Sequence, residues 1–524
     1  MAANTPPIVG AMLDPDFYPH PVDQVQQTET HASRVFLAGD FAYKLKKPVD
    51  FGFLDFSTPE KRRHFCREEL RLNQRFAPQL YLEVVDIGGP AEALRLGGTP
   101  VREHAVKMRR FPARQQLDRL HAAGGLTADQ MRQFATCVAR FHNQAAIAPP
   151  TSAYGTPAAV TAPVEENFAQ LRPLVADDLA DRLINLETWS RQTARKLQPL
   201  LEQRKQQGYI REGHGDLHLG NMVWFENKPL LFDCIEFNAN LRWIDTINDI
   251  AFLIMDLEDR QETELGWWFL NGYLRESGDF AGLPLLNFYK VYRAMVRAKV
   301  VSLRLDQAGQ GAAESRRDQA LVRSYFDLAA AYTTAGQPQL MLTHGLSGSG
   351  KSTFAKQFAP LCGAVCVHSD IERKRLHGLA AEADSASEVA AGLYGEEATS
   401  ATYRHLQIIA EDLLEAGFSV LVDATFGKRE QRSAIHRRAQ QRGFQVKILD
   451  FQCSRQELLR RIEARSAQPG RISEATADVL EHQLAHAEPL SPEERRMAIT
   501  ILPETRPAEV AARLCGTPTA AADK

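Results

Sequence analysis

Residues 345–352 read Gly345-Leu-Ser-Gly-Ser-Gly-Lys351-Ser352 and come just after an apolar run at residues 340–343. The spacing fits G-x-x-x-x-G-K-[ST], a loop whose backbone N–H groups turn inward around phosphate oxygens. A strand before this loop and a helix after it are the context that the pattern requires, and a helix N-terminus favours anions. In such a loop the lysine reaches the β- and γ-phosphates, and the serine holds Mg²⁺. The predicted phosphate-binding residues are Gly345, Ser347, Gly348, Ser349, Gly350, Lys351, Ser352 and Thr353.

The second half of the chain alternates apolar runs with helical patterns. The runs lie at residues 340–343, 364–367, 419–422, 446–451 and 498–502. Strands joined by helical crossovers form parallel sheets that are covered on both faces, so the pattern predicts an α/β domain with a five-stranded parallel sheet.

Two acidic residues follow strands of this predicted sheet: Asp370 after the second and Asp423 at the end of the third. Ligands of open α/β sheets bind at the carboxyl ends of the strands, so both carboxylates are expected to face the phosphate loop. Phosphoryl transfer needs one acid near Mg²⁺, here Asp423, and one near the acceptor hydroxyl, here Asp370. The alternative for Asp370 is that it only caps the next helix.

A resemblance rests on residues 345–352 together with Ser369-Asp-Ile-Glu-Arg-Lys374 and Val422-Asp-Ala-Thr-Phe426. Over about residues 339–515, the chain resembles the small P-loop kinases related to polynucleotide kinase, chloramphenicol phosphotransferase and zeta toxin. The resemblance implies that Asp370 activates the acceptor hydroxyl and that lid arginines stabilise the transferring group. Arg461 and Arg465 share one helical face and are the candidates. A solvated basic helix is the alternative, and the choice among Arg460, Arg461, Arg465 and Arg471 stays open.

The first half contains His214-Gly-Asp216-Leu-His-Leu-Gly-Asn221, which has the Asp-to-Asn interval of the kinase catalytic loop H-R-D-x-x-x-x-N. A hairpin is predicted to follow, and Asp233 ends its returning strand. Kinase chemistry needs a carboxylate beside the acceptor hydroxyl, an amide oxygen on Mg²⁺ and a further carboxylate on the metal. Asp216, Asn221 and Asp233 supply them in that order.

The upstream part of such a site is also present. Phe41-Ala-Tyr-Lys44 parallels the V-A-I-K strand whose lysine holds the α- and β-phosphates, and Lys46 on the same strand face is the reserve candidate. The lysine is expected to pair with a glutamate on the next helix, which opens at residues 57–60 with a hydroxyl cap before proline. Helical periodicity puts Glu69 on the inner face and Glu68 toward solvent, so Glu69 is the predicted partner.

The catalytic-loop motif with the downstream Asp245 and Asp249 resembles the aminoglycoside phosphotransferase-like kinases over roughly residues 28–330. The resemblance implies an α+β, two-lobed, protein-kinase-like fold with a hinge near residues 106–109 and a bracing role for Asp249. The chain departs from the kinase pattern because residues 28–33 contain no glycine. The triphosphate is therefore expected to be covered by side-chain hydroxyls, or by backbone groups in a geometry other than that of a glycine-rich loop.

The whole chain resembles a bacterial two-domain family of predicted kinases. The predicted organisation is a kinase-like domain with a small and a large lobe, a linker, a P-loop kinase domain and a tail. Their bounds are residues 1–332 (lobes about 28–106 and 107–332), 333–338, 339–515 and 516–524. Residues 146–163 are expected to form a loop, and 165–207 a helical region that Gly208 ends.

Composition narrows the class of protein. The 62 Lys+Arg against 65 Asp+Glu exclude a chain-wide nucleic-acid surface, and 44% apolar residues exclude a disordered chain. No apolar run approaches the roughly 18 residues that span a bilayer. The first basic residue is Arg34, so no secretory signal is expected. Seven scattered cysteines without a CxxC predict a cytoplasmic protein with reduced, buried thiols.

The sequence thus predicts a cytoplasmic ATP-dependent kinase with two ATP·Mg²⁺ sites, each transferring a γ-phosphoryl group to a hydroxyl of a small molecule. One alternative makes the C-terminal half a nucleic-acid end kinase with a basic groove. That groove would consist of Arg432, Arg437, Arg438, Arg442, Arg460 and Arg461. The other alternative makes the N-terminal half a non-catalytic nucleotide-binding module that regulates partners. No membrane partner is expected, and the acceptors and the oligomeric state are not predicted.

Overall fold

The computed structural model describes residues 7–52, 54–306, 312–334, 336–380, 395–466 and 477–515. Contacts divide the chain into two compact units, Met1–Ala180 with Ser190–Asp256, and Asp181–Trp189 with Leu257–Lys524. The helices after Leu257 therefore group with the second half of the chain. The predicted boundaries around residues 333–338 stay a prediction, and the predicted tail lies outside the described residues. No helix in the described ranges is long and apolar enough to cross a membrane.

An antiparallel six-stranded sheet forms the first part of the first unit, with strand order β1-β2-β3-β6-β4-β5. The strands are β1 (Val25–Glu29), β2 (Ser33–Ala38), β3 (Phe41–Lys46), β4 (Tyr81–Gly88), β5 (Arg95–Leu96) and β6 (Val101–Arg109). Helices α1 (Pro7–Met12) and α2 (Pro59–Asn73) accompany the sheet. As predicted, Thr58 caps α2 by accepting a hydrogen bond from Lys61 N, and Pro59 takes the first helical position.

The rest of this unit holds the predicted second hairpin, β8 (Met222–Phe225) with β9 (Lys228–Leu231), and a pair of short strands, β7 (Ile210–Glu212) with β10 (Trp243–Asp245). Glu226 and Asn227 have φ of 48° and 60°, the backbone of a type I′ turn, which matches the strand twist. The helices are α3 (Leu117–Ala122), α4 (Ala128–Gln144), α5 (Pro157–Leu171), α6 (Ala180–Gln206) and α7 (Thr246–Asp259), and α7 crosses the boundary between the units.

Two expectations for this region were wrong. Helix α5 begins at Pro157, inside the predicted loop 146–163, because Thr156 Oγ1 accepts from Ala159 N and proline is pre-organised at the first helical position. The predicted helical region 165–207 is also broken between Leu171 and Ala180, where only a short 3-10 turn forms. It ends as predicted at Gly208, which has a φ of +81°.

The second unit contains the predicted five-stranded parallel sheet, with strand order β12-β13-β11-β14-β15. Its strands are β11 (Gln339–His344), β12 (Ala364–His368), β13 (Ser419–Asp423), β14 (Gln445–Phe451) and β15 (Ala498–Ile501). Its helices are α8 (Thr263–Ser277), α9 (Leu286–Leu305), α10 (Ala312–Thr333), α11 (Lys351–Leu361), α12 (Ser369–Leu376), α13 (Glu396–Glu415), α14 (Arg429–Gln441), α15 (Arg455–Ser466), α16 (Ala477–His486), α17 (Pro492–Met497) and α18 (Pro507–Cys515). Short 3-10 helices in the chain lie at Pro15–Phe17, Ala113–Gln115, Asp177–Leu179, Leu219–Asn221, Ala239–Leu241 and Phe280–Leu285.

The core of the parallel sheet fixes the helix that follows the phosphate loop. Met341, Leu421 and Leu449 from three strands pack with Phe354 and Phe358 of α11. Burying each large apolar side chain contributes roughly 1.5–3 kcal/mol, so α11 is held firmly against the sheet. The N-terminus of α11 is therefore fixed at the carboxyl end of β11.

The structure contains one disulfide and five free cysteines, whereas the sequence predicted seven reduced thiols. A disulfide joins Cys362, at the C-terminal end of α11, to Cys515, the last residue of α18. The two helices pack in the same core, which brings cysteines 153 positions apart in sequence to a Cα separation of 5.5 Å. The five free cysteines are Cys66, Cys137, Cys234, Cys366 and Cys453.

Candidate active sites

Three distant stretches meet in the first unit at Lys44. Its Nζ lies 2.8 Å from Oε1 of Glu69 and 2.5 Å from Oδ1 of Asp233. Strand β3 supplies the lysine, α2 the glutamate, and the loop after β9 the aspartate. The expected contact between Lys44 and Glu69 is therefore present, and the glutamate is fully buried.

Lys46, the reserve candidate, contacts the same glutamate. Its Nζ lies 2.7 Å from Oε2 of Glu69 and also pairs with Glu236. Burial alone would raise the pKa of Glu69, but the two lysines lower it to about 2. The side chain of Lys44 is 12% exposed and that of Lys46 is 0% exposed, so only Lys44 has a surface for a ligand. Glu68 instead pairs with Arg71 at 2.9 Å.

The catalytic-loop motif is held by Asp249 at the start of α7. The carboxylate of Asp249 accepts hydrogen bonds from His214 N at 2.7 Å and Gly215 N at 2.9 Å. It also contacts His142 Nε2 at 3.1 Å. Burial raises the pKa of Asp249, but the hydrogen bond and charge of His142 and the proximity of His214 lower it to about 2. Asp249 therefore occupies the bracing position that the resemblance implied, while Asp245 pairs with Arg204 at 2.7 Å.

Within the motif, Asn221 Nδ2 donates to Asp216 O at 3.0 Å and to Asp216 Oδ2 at 2.9 Å. Phe232 N donates to Asn221 O at 3.0 Å, which brings the residue before Asp233 beside the asparagine. The side chains of Asp216 and Asp233 are 39% and 42% exposed. The structure thus gathers the three predicted residues at one edge of the hairpin, with two accessible carboxylates.

The backbone of Asp233 is unusual. It has a φ of +63°, and its N–H donates to the buried Tyr81 Oη at 3.0 Å. The next amide, Cys234 N, donates to Asn73 Oδ1 at 3.0 Å. Tyr81 and Asn73 lie in no recognisable local motif, so neither residue could be singled out from the sequence.

The loop that lacks glycine is closed by a hydroxyl. Ser33 N donates to Thr30 Oγ1 at 3.0 Å, and Thr30 N donates to Ser33 O at 2.9 Å, which forms a tight turn between β1 and β2. Lys47 Nζ donates to Thr30 O at 2.7 Å. A threonine side chain therefore orders this turn, where the kinase pattern has glycines.

In the second unit, the glycines of residues 345–352 adopt backbone conformations that other residues avoid. Gly345, Gly348 and Gly350 have φ of +146°, +86° and +95°. A methyl group at Gly345 would lie 2.9 Å from Phe451 O, and one at Gly348 would lie 3.0 Å from Leu458 O. Lys351 Nζ donates across the loop to Leu346 O at 2.8 Å. The loop fits a phosphate group, because the buried Ser349 Oγ inside it has no hydrogen-bond partner among the residues that the structure describes.

Asp423, at the end of β13, is buried next to the loop. Burial raises its pKa, but hydrogen bonds from His368 and Ser352 and the charge of Lys351 bring it below its usual value. His368 Nδ1 lies 2.9 Å from Asp423 Oδ2. Sequence reasoning missed His368, although it ends β12 next to Asp370. In the described part of the chain, no group of three or more His, Cys, Asp or Glu side chains has the arrangement needed to hold a metal ion by itself. Kinases, however, hold Mg²⁺ through one or two protein groups plus phosphate oxygens and water, which Ser352 and Asp423 fit.

Asp370 begins α12 on the same side. Burial, with the nearby charge of Asp423, raises its pKa above the usual value, while Arg373, Lys351 and Lys374 oppose the rise. A carboxyl group with a raised pKa near Lys351 suits proton abstraction from an alcohol.

Helix α15 carries one predicted lid arginine to the phosphate loop. A methyl group at Gly350 would lie 3.3 Å from Nη1 of Arg461, whose Nε donates to Glu457 at 2.6 Å. Arg460 pairs with the same glutamate but is largely exposed. The side chain of Arg465 and all of Arg471 lie outside the described residues. Gln483 of α16, which no sequence motif marks, accepts from Ser347 N at 2.9 Å and donates to Ser347 Oγ at 3.0 Å.

The arginines proposed for a nucleic-acid groove are mostly neutralised. Arg432 is buried, pairs with Glu494 at 2.7 Å and donates to Phe426 O, so its assignment to a groove was wrong. Arg442 lies 2.7 Å from Glu415. Arg438 lies 3.7 Å from Glu411, and the exposed Arg437 donates to Ser433 O at 3.1 Å.

Comparisons with known proteins match both halves of the chain to families. A family model described as "Phosphotransferase enzyme family" matches residues 52–285, and one described as "AAA domain" matches residues 340–490. Uncharacterized proteins of Mycobacterium tuberculosis and Mycobacterium bovis are each 35% identical over 469 residues, which cover 88% of this chain and 90% of theirs.

Solved structures of kinases are similar to parts of the chain. An amicoumacin kinase is 16% identical and covers 59% of this chain and 89% of its own, with a TM-score of 0.38. A spectinomycin phosphotransferase is 12% identical, and the match covers 59% of this chain and 94% of that protein, with a TM-score of 0.36. A gluconokinase from Sinorhizobium meliloti is 17% identical, and the match covers 35% of this chain and 92% of that protein, with a TM-score of 0.25.

The fold and the family matches define an ATP-dependent kinase, with a protein-kinase-like phosphotransferase domain followed by a P-loop kinase domain. The chain belongs to the family of two-domain proteins that includes the uncharacterized mycobacterial proteins, to which it is similar along almost its entire length.

Proposed function

We propose that the protein has two separate ATP·Mg²⁺ sites, each of which transfers a γ-phosphoryl group to a hydroxyl of a small molecule. The observation that carries the proposal is the convergence, within each unit, of a phosphate-binding lysine with carboxylates from distant stretches. In the first unit Lys44 meets Glu69 and Asp233, and in the second Lys351 lies close enough to Asp423 and Asp370 to shift their pKa values.

In the first site, Lys44 would hold the α- and β-phosphates, with Glu69 fixing the position of its ammonium group. Asn221 uses its amide N–H groups on Asp216, which leaves its amide oxygen for Mg²⁺ beside Asp233. Asp216 would orient the acceptor hydroxyl and accept its proton. The accessible carboxylate of Asp216 supports this role.

In the second site, the loop amides, Ser349 and Lys351 would hold the phosphates, and Ser352 with Asp423 would hold Mg²⁺. When bound, the metal ion supplies positive charge that offsets the charge developing on the phosphoryl oxygens. Asp370 would accept the acceptor proton, and Arg461 would stabilise the transferred group, with Arg465 as the second candidate. Thr353 completes the predicted nucleotide-binding set.

An open cleft of about 1510 Å³ adjoins the phosphate loop and supports a small-molecule acceptor. Arg373, Tyr403 and Thr425 line it, and Tyr403 Oη lies 3.1 Å from Thr425 Oγ1. The cleft is larger than the roughly 300–1,000 Å³ of usual small-molecule sites, so a small acceptor has room in it, and we assign the acceptor of the second site to this cleft. Because ATP is the donor, we propose a cytoplasmic enzyme.

The two-site proposal is tested on the full chain with ATP labelled in the γ-phosphate, in a screen of alcohols, sugars and oligonucleotides. We expect Asp216→Ala to abolish one set of products and Lys351→Ala another, because each variant removes the charge that only one site needs. The double variant is expected to be inactive. Loss of every product in either single variant would contradict two independent sites.

The roles within the second site are separated by nucleotide binding. Lys351→Ala is expected to weaken ATP binding, because it removes a phosphate contact. Asp370→Asn is expected to bind ATP as the parent does and to lose transfer by a factor of about 10²–10⁴, the range of general base catalysis. Equal loss of binding in the two variants would show that Asp370 is not the base.

The screen also decides between this proposal and the two alternatives. Labelling of oligonucleotides that requires Lys351, together with oligonucleotide binding that weakens steeply with salt, would favour a nucleic-acid end kinase. Nucleotide binding without any product that depends on Asp216 would favour a regulatory module in the first half.

A further inference from the structure

Helix α8 lies in the part of the sequence that matches the phosphotransferase family, yet it packs on the P-loop sheet within one compact unit. Asn271 of α8 makes the central contact. Its Oδ1 accepts from Cys366 N at 2.8 Å, and its Nδ2 donates to Ala364 O at 3.0 Å. Since β12 is an edge strand of the sheet, the asparagine amide takes the place of a neighbouring strand at this point.

The C-terminal end of α8 makes a second contact, with α12. Arg375 Nη2 donates to Arg275 O at 2.8 Å, which satisfies one of the terminal carbonyls of α8. The left-handed Gly278 at the end of α8 leaves room for this guanidinium group, because a methyl group there would lie 2.5 Å from Arg375 Nε. Strand β12 and the end of α12 are thus both bound by one helix.

A third contact fixes the start of the same segment. A methyl group at Gly363 would lie 3.2 Å from Nε1 of Trp267, which places the indole directly against the residue before β12. The same indole packs edge-on against Phe418, just before β13, with ring centroids 6.5 Å apart. Helix α8 therefore touches both strands that lead to the acidic residues of the second site.

Between these contacts lie the residue assigned to proton abstraction and the histidine that contacts Asp423. Residues 364–376 contain Asp370 and also His368, which holds Asp423 at 2.9 Å. A displacement of β12 along its axis would move Asp370 relative to Lys351 and would move His368 relative to Asp423. Reacting groups must be held to a fraction of an ångström, and a shift of about 1 Å costs on the order of a hundredfold in rate.

We propose that α8 is a working part of the P-loop active site, and that Asn271 and Arg375 are positioning residues that act on Asp370 through β12 and α12. The proposal rests on the proposed function of the second site. It gives a helix from the phosphotransferase part of the sequence a role in the second site.

The test uses the full chain in an Asp216→Ala background, where release of the labelled γ-phosphate reports the second site. Asn271→Leu keeps the side-chain size and removes both hydrogen bonds to β12. We expect the rate to fall by about tenfold to a hundredfold, with the Kd for ATP changed by less than about twofold. Arg375→Met, at a partly exposed position, is expected to lower the rate in the same way but less, and it carries the test if Asn271→Leu does not fold.

Two matched controls are Thr263→Ala, on the exposed side of α8, and Arg513→Met, an exposed arginine of α18. Both are expected to retain the parent rate. Parent rates in both positioning variants, or a loss of ATP affinity as large as the loss of rate, would overturn the proposal.

A separate readout distinguishes failure of the proposed function from failure of this proposal. If γ-phosphate release in the parent does not depend on Lys351 or Asp370, the proposed function fails. The positioning role is then judged by amide hydrogen exchange. Faster exchange of residues 364–376 in Asn271→Leu, with α18 unchanged, supports the role, and unchanged exchange of these residues overturns it.

Discussion

At the scale of single residues, Glu69 carries one negative charge but contacts two lysines, and Lys46 contacts two glutamates. Burial raises the pKa of Glu236, and only the neighbouring lysines oppose this. Removing one member of such a buried cluster leaves a charge without compensation, which costs roughly 3–5 kcal/mol. Lys46 therefore has a role although no ligand reaches it, because it keeps Glu69 ionised and in contact with Lys44.

The lowered pKa of Asp249 predicts a pH-dependent contribution to stability. Its folded value of about 2 lies below the usual 3.8, so the folded state binds this proton more weakly than the unfolded state. The contribution, about 2 kcal/mol, is present above pH ~4 and is lost as the pH falls toward 2.

We expect Asp249→Asn to lower the free energy of unfolding at pH 7, measured by urea denaturation, and the difference from the parent to shrink between pH 4 and pH 3. Asp245→Asn is the matched comparison, because Asp245 pairs with Arg204 elsewhere in the same unit. A difference between parent and Asp249→Asn that stays constant down to pH 3 would contradict the assignment.

At the scale of elements, α2 is attached to the rest of the first site at its C-terminal end. Asn73 Oδ1 accepts from Cys234 N, and Arg75 donates to Glu212 O at 2.7 Å and Gly213 O at 3.3 Å. These bonds tie the helix that carries Glu69 to the loops on either side of the catalytic motif. The position of Glu69 is therefore set by α2 as a whole.

Asn73→Leu is expected to lower the free energy of unfolding by about 1–3 kcal/mol, because the buried Cys234 N–H loses its acceptor. In a Lys351→Ala background, we also expect turnover at the first site to fall, since α2 is no longer tied beside Asp233. The control is Arg67→Ala, an exposed position on the same helix. Denaturation and turnover are both measured, and an unchanged stability in Asn73→Leu would disprove the role of this hydrogen bond.

Elements with local signals were predictable from the sequence. Thr58 before Pro59 marks the start of α2, the Glu226–Asn227 turn marks the hairpin before Asp233, and the glycines mark the phosphate loop. The start of α5 was not predicted, because proline-rich sequence also suits a loop. The contacts of Asn271, Gln483 and Tyr81 were not predictable either, because each joins residues far apart in the chain through side chains that carry no motif.

At the scale of the whole molecule, the compact units do not follow the order of the sequence. The second unit takes in Asp181–Trp189 and everything after Leu257, so helices from the phosphotransferase part of the sequence complete the P-loop half. Periodicity and motifs describe neighbours along the chain and carry no information on which helix covers an edge strand. The fold classes were therefore readable from the sequence, whereas the packing of α8 on the P-loop sheet was not.

The disulfide between Cys362 and Cys515 closes a loop that contains nearly the entire P-loop half, with a sequence separation of 153. A cross-link over so long a loop restricts the unfolded chain and stabilises the folded state by up to about 5 kcal/mol.

We expect the unreduced, denatured protein to show the five thiols of the free cysteines in a thiol titration, and seven after reduction. Reduction, or Cys362→Ser, is expected to lower the urea midpoint of the second unit. Cys453→Ser, which removes a free thiol, is expected to leave that midpoint unchanged. Seven thiols without reduction would show that the two cysteines are not joined, and the loss of stability on reduction should then be absent.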